Sequence, residues 1–462
     1  MDAWLNPALE YIHDWLEFQM RASQQPGCLV AIAYRGKIVA EHAFGHANLK
    51  TGEKLTSRHR FRIASHTKTF TAAGLMTLRE QRRLRLDDPV GDHVGGLHPQ
   101  VAATTLAQLM SHSAGLVRDG ADAGQFIDRR PYVSRDELLA DLAKPPAIEP
   151  GTRLKYSNHG YALLGMVIEA VTGEPYRDWI IREVIAKADL RETAPDMPIK
   201  KNSLLAQGHT PRLPLDRRLV IPGDTPTHAI APAAGFVSTA ADVARFFAQL
   251  APNAKHSMLS VASRREMTRR LWRNPHATLE SHYGLGIMSG GLAGWDWFGH
   301  TGGLHGYISR TAVIPAADIA ISIFTNATDG PAPIWVDGAI QILRTFATRG
   351  APKKRVRDWT GRYWSSWRVF DLVPVGDRVL VATPQAYNPF MDVAEIAVTG
   401  KDNGQIVAAE GYSSFGEAAR LDRSAAGKIT GVWLGGSHLQ PEKALAAELT
   451  RKYGTVKRRP DR

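Results

Sequence analysis

The 462-residue chain has a single cysteine, so no disulfide can form within it. Cys28 sits in the apolar run Cys28-Leu29-Val30-Ala31-Ile32-Ala33, which reads as a buried strand. No charge lies nearby to lower its thiol pKa, so it reads as structural and not as a nucleophile. No apolar run approaches the ~20 residues needed to cross a bilayer. Residues 1–25 lack the basic start, apolar core and small-residue cleavage site of a secretory leader. The expectation is a cytoplasmic protein, with a secreted one whose leader has been removed as the alternative. There is no H-E-x-x-H, and the histidines show no paired metal spacing, so no metal is expected. There is no P-loop. Gly284-Leu285-Gly286 is not followed by a helix, so neither a nucleotide nor any other cofactor is expected. The absence of G-x-S-x-G argues against an α/β-hydrolase.

Acidic residues are also few against basic ones, and the net charge is +12. The basic residues are scattered, apart from Lys353-Lys354-Arg355-Val356-Arg357 and the tail Lys457-Arg458-Arg459. Both clusters read as a solvated linker and tail. With no recognised module beside the charge, a nucleic-acid partner is not expected.

The length exceeds what one hydrophobic core usually holds, so two domains, or one large domain with an appendage, are expected. Leu5, Leu9, Ile12, Leu16 and Met20 follow a helical period and predict an amphipathic helix packed on a sheet. A hairpin turns at Arg35-Gly36. A helix is expected from about Ser65 to Gln81. Residues 82–230 read as mostly helical, with the clearest helix starting near Asn158 and ending at Gly173. Sheet character returns at Gly235-Phe236-Val237-Ser238 and recurs through Tyr283–Met288, Trp295–Gly299, 309–314 and 319–324. A helix over 333–348 closes this part. Strands at both ends of the first 348 residues predict one antiparallel sheet with a helical subdomain inserted, an α+β architecture. Residues 349–357 read as a linker. Residues 358–462 carry short strand-like segments punctuated by Gly376-Asp377, Asp402-Asn403-Gly404 and Ala426-Gly427, which predict a small all-β barrel or sandwich.

Ser65-His66-Thr67-Lys68 carries the chemistry. Three residues apart on a helix, Ser65 and Lys68 share a face. A serine hydroxyl needs a base to become a nucleophile, and a lysine can serve once burial and the helix N-terminus lower its pKa from ~10.4. Tyr156-Ser157-Asn158 precedes a strongly periodic helix. A tyrosine hydroxyl near Lys68 can relay the serine proton, and an asparagine amide can hold both Lys68 and a substrate carbonyl. Taken alone, Asn158 reads as an N-cap and Tyr156 as a core aromatic. His300-Thr301-Gly302-Gly303 follows a strand-like segment, where a glycine lets a substrate backbone lie along a sheet edge.

Together S-x-x-K, Y-x-N and H-x-G, in this order and on these element types, resemble the penicillin-recognising serine hydrolases. That family includes class C β-lactamases, D-alanyl-D-alanine carboxypeptidases, D-aminopeptidases and family VIII-type carboxylesterases. Leu109-Met110-Ser111-His112-Ser113-Ala114-Gly115-Leu116, residues 151–165 and Ala234-Gly235-Phe236-Val237-Ser238-Thr239 also resemble recurring family segments. The resemblance covers about residues 10–348. It implies a β-lactamase-like fold with Ser65 acylated, Lys68 and Tyr156 sharing proton transfer, and Asn158 on the substrate amide. His300, Gly302 and Gly303 bind substrate, and the N–H groups of Ser65 and Gly303 form the oxyanion hole. His112 and His305, near these boxes, read as structural. The histidine in place of the usual lysine implies a positive charge present only part of the time near neutral pH. The all-β C-terminal part resembles lipocalin-like appendages. A small molecule or short peptide is the implied substrate, and a homo-oligomer is compatible. The reading favours small peptides or amides containing D-amino acids, and leaves open a carboxylesterase, a β-lactamase or a β-lactam-acylated sensor.

Overall fold

The computed structural model describes residues 2–411 and 413–454. The basic tail at 457–459 lies outside them. The chain divides into two compact units, Gln24–Val336 and Met1–Ser23 with Asp337–Arg462.

The first unit is built on a nine-stranded antiparallel sheet. Gly27–Tyr34 is buried along its length and pairs with Lys37–Asn48 on one side and Ile319–Thr325 on the other. Strands from both ends of the sequence therefore meet at the centre, as the patterning predicts. The order continues through Tyr307–Ile314, Trp295–Leu304, Met288–Leu292, Ser281–Tyr283 and Trp272–Arg273. Helices Thr67–Glu80, Asn158–Thr172 and Ala240–Gln249 contribute to one apolar core that includes Phe70, Leu164 and Phe246. The helix at Asn158 starts on a Ser157 side-chain cap and ends at Gly173 with φ 75°, a left-handed stop that suits glycine.

Three local expectations are corrected. Val237–Ser238 does not join the main sheet; it forms a two-stranded pair with Phe61–Arg62. The helix expected from Ser65 is preceded by a 3-10 turn, Ala64–His66, that holds the serine. His300 to Gly303 do not follow a strand; they lie inside Trp295–Leu304. Period-2 patterning hides that strand's length, because its second half alternates around glycines that carry no hydrophobic signal.

In the second unit, eight antiparallel strands run in sequence order from Gly361–Trp364 to Ser437–Leu439. Trp364 and Gln440 exchange backbone hydrogen bonds of 2.7 and 2.8 Å, which nearly closes the sheet into a lipocalin-like barrel. Its interior packs Trp359, Val379, Val381, Ile396 and Val432. Helix Leu5–Ala22 belongs to this unit. Trp15 and Gln19 donate to the carbonyls of Ala386 and Pro384, at 3.3 and 2.7 Å. Among the described residues, no helix is long and apolar enough to cross a membrane.

Candidate active site

Ser65 is half-buried in the turn Ala64–His66. The turn is fastened on both flanks by Phe236. Ile63 N–H donates to the Phe236 carbonyl, and Phe236 N–H donates to Thr67 Oγ1, each at 3.0 Å. Ala64, just before the serine, has φ 48°. A non-glycine residue in this left-handed region is held there by its surroundings, a strain that recurs where a side chain must be aimed.

Lys68 lies one turn on and is fully buried. Its Nζ donates to Ser65 Oγ at 3.2 Å, Asn158 Oδ1 at 2.6 Å and the Ala233 carbonyl at 2.9 Å. Burial holds its pKa well below the usual lysine range; Asp119 opposes that shift and Arg118 adds to it. Tyr156 Oη donates to Ser65 Oγ at 2.8 Å. Burial pushes the Tyr156 hydroxyl up, so it stays protonated. The serine oxygen therefore sits between an amine biased toward neutrality and a phenol biased toward holding its proton.

Asn158 is the first residue of its helix and not the cap, because Ser157 fills that position. Its Oδ1 faces Lys68 and its Nδ2 donates to Asp119 Oδ1 at 2.5 Å. His112 packs tilted against the Tyr156 ring with centroids 4.1 Å apart, and its Nδ1 accepts from Ser157 N–H. It acts as a buttress. His305 sits in the turn after Leu304 and pairs with Asp128 at 2.9 Å.

His300 is buried. Its Nδ1 lies 2.7 Å from the Thr301 carbonyl and its Nε2 lies 2.9 Å from Tyr283 Oη. A carbonyl only accepts, so Nδ1 carries the hydrogen and Nε2 accepts from the tyrosine. Burial, reinforced by His66, pushes the His300 pKa well down. The part-time positive charge expected for this residue does not fit its environment, since burial beside His66 and Lys68 disfavours the charged ring. Gly302 and Gly303 separate. A Cβ on Gly302 would collide with the Ile63 carbonyl and Ser309 Oγ, so its missing side chain lets the strand approach the turn that holds Ser65. A Cβ on Gly303 would meet only Ile308 Cδ1, at 3.6 Å.

The beta-lactamase family profile matches residues 12–343. The chain belongs to the beta-lactamase family. Over 192 residues it is 25% identical to protein flp of Staphylococcus aureus (strain MW2), spanning 41% of this chain and 38% of that relative. The chain thus matches well under half the length of this relative. The octameric penicillin-binding protein homologue from Pyrococcus abyssi superposes with a TM-score of 0.66 at 22% identity, covering 94% of this chain and 99% of the other. The D-stereospecific amidohydrolase from Streptomyces sp. superposes at 0.58 with 27% identity, covering 69% and 94%.

Within this family fold, a cavity of about 360 Å³ opens over Ser65. Tyr156, His300, Thr301 and Gly303 line it, while Lys68 and Asn158 lie behind the serine. Met288–Leu292 pairs with Trp295–Leu304 only as far as Gly299. Among the described residues, the segment 300–304 therefore presents a free edge beside Ser65. Sequence reasoning passes over four contributors: Arg118, Asp119, Tyr283 and the Ala233 carbonyl. Asp119 follows the 109–116 loop by three residues, and that adjacency is the one available signal.

Proposed function

We propose that this beta-lactamase-family member is a serine hydrolase that cleaves small peptides or amides containing D-amino acids through an ester on Ser65. The observation that carries this reading is the pair of contacts on Ser65 Oγ, from a buried Lys68 and from a protonated Tyr156. On losing a proton, Lys68 keeps its two N–H groups on Asn158 Oδ1 and the Ala233 carbonyl and turns its lone pair to Ser65, whose hydroxyl proton it takes while Oγ bonds to the substrate carbonyl carbon. The oxyanion is held by the N–H groups of Ser65 and Gly303, each such donor being worth about 3 kcal/mol. The C–N bond then breaks, and the proton passes from Lys68 by way of the Tyr156 hydroxyl to the leaving amine. Water attacks the acyl ester by the reverse route and releases a carboxylic acid with Ser65 restored. Substrate backbone pairs along the free edge at 300–304, which supports a peptide or amide. The likeness to a D-stereospecific amidohydrolase supports the handedness.

The test is turnover of p-nitrophenyl esters, D- and L-alanine p-nitroanilides, a D-Ala-D-Ala peptide and a chromogenic cephalosporin, each beside Ser65→Ala. The expected result is Ser65-dependent turnover of the D-anilide or peptide, with Ser65→Ala at least ~10⁴-fold slower in kcat. A variant that keeps a tenth of the activity sinks the Ser65 assignment. Turnover of esters alone moves the reading to a carboxylesterase. Stable acylation by the cephalosporin without turnover moves it to a sensor. The full-length likeness to an octameric homologue supports a homo-oligomer, which light scattering reads directly.

A further inference from the structure

We infer that Arg118 is the substrate-specificity residue of this site, a guanidinium that selects substrates carrying a carboxylate near the scissile bond. This rests on the Ser65 reading above. Arg118 lines the same cavity as Ser65, and its guanidinium carbon lies 5.2 Å from the centroid of the Tyr156 ring. Its side chain is 65% exposed, so the charge reaches solvent and incoming ligand. Among the described residues only its Nε is tied down by a hydrogen bond, donating to Asp119 Oδ2 at 3.0 Å. Asp119 is itself anchored through Asn158, so the base of the guanidinium is fixed. The two terminal nitrogens keep their donors in the parallel arrangement that fits a carboxylate.

The other described residues of the cavity wall supply no fixed charge for this task. Among the described lining residues there is no aspartate or glutamate and no lysine. His300 spends both ring nitrogens on Thr301 and Tyr283, and His282 faces Glu280 at 3.7 Å. A wall with a guanidinium and no lining carboxylate suits an anionic group. The selected class is therefore amides or peptides bearing a carboxylate, in preference to neutral analogues of the same shape.

Boronic acids test this without knowledge of the natural substrate, because they form reversible tetrahedral adducts with a nucleophilic serine. Dissociation constants of phenylboronic, 3-carboxyphenylboronic and 4-carboxyphenylboronic acid are measured for the wild type, Arg118→Gln, Arg118→Lys and Ser65→Ala. The expected result is about tenfold or greater preference for at least one carboxylated compound in the wild type. Arg118→Gln loses that preference and Arg118→Lys keeps part of it, read as the ratio of dissociation constants within each variant, so that any change in phenylboronic acid binding itself cancels. Ser65-dependent binding of phenylboronic acid with no carboxylate preference, or a preference that survives Arg118→Gln, overturns the role of Arg118 while the Ser65 reading stands. Equal loss of all three compounds in Arg118→Gln shows a merely structural residue and also overturns it. Wild type binding none of them, or Ser65→Ala binding as well as the wild type, overturns the Ser65 reading and this one with it.

Discussion

The two units bury polar groups on different terms. The unit Gln24–Val336 encloses Lys68, His66, His112, His300, Asn158 and Asp119 around one serine. The barrel of the other unit has an apolar interior, and its buried carboxylate, Asp371, is held by Arg362 through contacts of 2.7 and 2.8 Å. Burying a charge is costly unless it is paired. The barrel meets that cost with a matched pair. The catalytic unit leaves its lysine short of a direct carboxylate partner, with Asp119 reaching it only through Asn158. That arrangement disfavours the ammonium and so fits the role proposed for this lysine as a base.

The same edit should therefore do opposite things in the two units. Lys68→Met is expected to lower kcat by at least ~10³-fold, since the nucleophile loses its base. Arg362→Met is expected to cost about 3 kcal/mol of stability by stranding Asp371, with turnover per folded molecule unchanged. Steady-state kinetics beside thermal denaturation reads both. A Lys68→Met enzyme with near-normal turnover would erase the contrast.

Next in size is a contrast between two adjacent glycines. Gly302→Ala drives a methyl into the Ile63 carbonyl and is expected to cost about 1–3 kcal/mol, with a fall in kcat as the serine turn shifts. Gly303→Ala meets only ordinary contact, so its stability should stay within about 0.5 kcal/mol of the wild type. Equal melting temperatures for the two variants would show that strand and turn do not approach as closely as the structure has them.

That pair of glycines also marks how far sequence carries. The three boxes were legible because each is local: a serine and lysine one turn apart, a tyrosine and asparagine at a helix start, a histidine and glycines in one short run. The helix from Asn158 was legible from its apolar period and its Gly173 stop. Which glycine packs and which faces the cavity depends on the register between Trp295–Leu304 and Tyr307–Ile314, which no local pattern encodes. The role of Asp119 depends on a contact with Asn158 across 39 positions, and the clamp by Phe236 on a contact with Thr67 across 169. The downward shift of the His300 pKa follows from burial and from His66, neither of which the motif reveals. The barrel was legible as a class, from short alternating segments and turns, because its interior is apolar throughout.

Acid should separate the units by a smaller margin. Burial pushes the His66 pKa down to about 3, and those of His112 and His300 well below their ordinary value. The unfolded chain takes up protons at these histidines below about pH 6.5 while the folded unit does not. The stability they contribute is complete above about pH 6.5 and is lost as pH falls through the folded values. In the barrel, burial raises the Asp371 pKa, so proton uptake there favours the folded state as pH falls. Hydrogen exchange between pH 7 and 4.5 should show protection falling first at the helix Thr67–Glu80. Equal loss in barrel strands would contradict the assignment.

The finest test stays inside the site. Lys68 must be neutral to act as base, so kcat/KM rises with pH as it deprotonates, with an inflection below the ~10.4 of a free lysine. Burial sets that displacement and the negative charge of Asp119 limits it. Asp119→Asn removes the charge and keeps the shape, so the ammonium becomes harder to hold and the Lys68 pKa falls further. The acid limb of the kcat/KM profile should move to lower pH, and the plateau should change less than the inflection. If Asp119 only braced Asn158, its loss would lower the profile at every pH and leave the inflection in place. A shift to higher pH would mean that the buried lysine does not feel this carboxylate as a partner, and the chain Asp119–Asn158–Lys68 would have to be abandoned as an electrostatic unit.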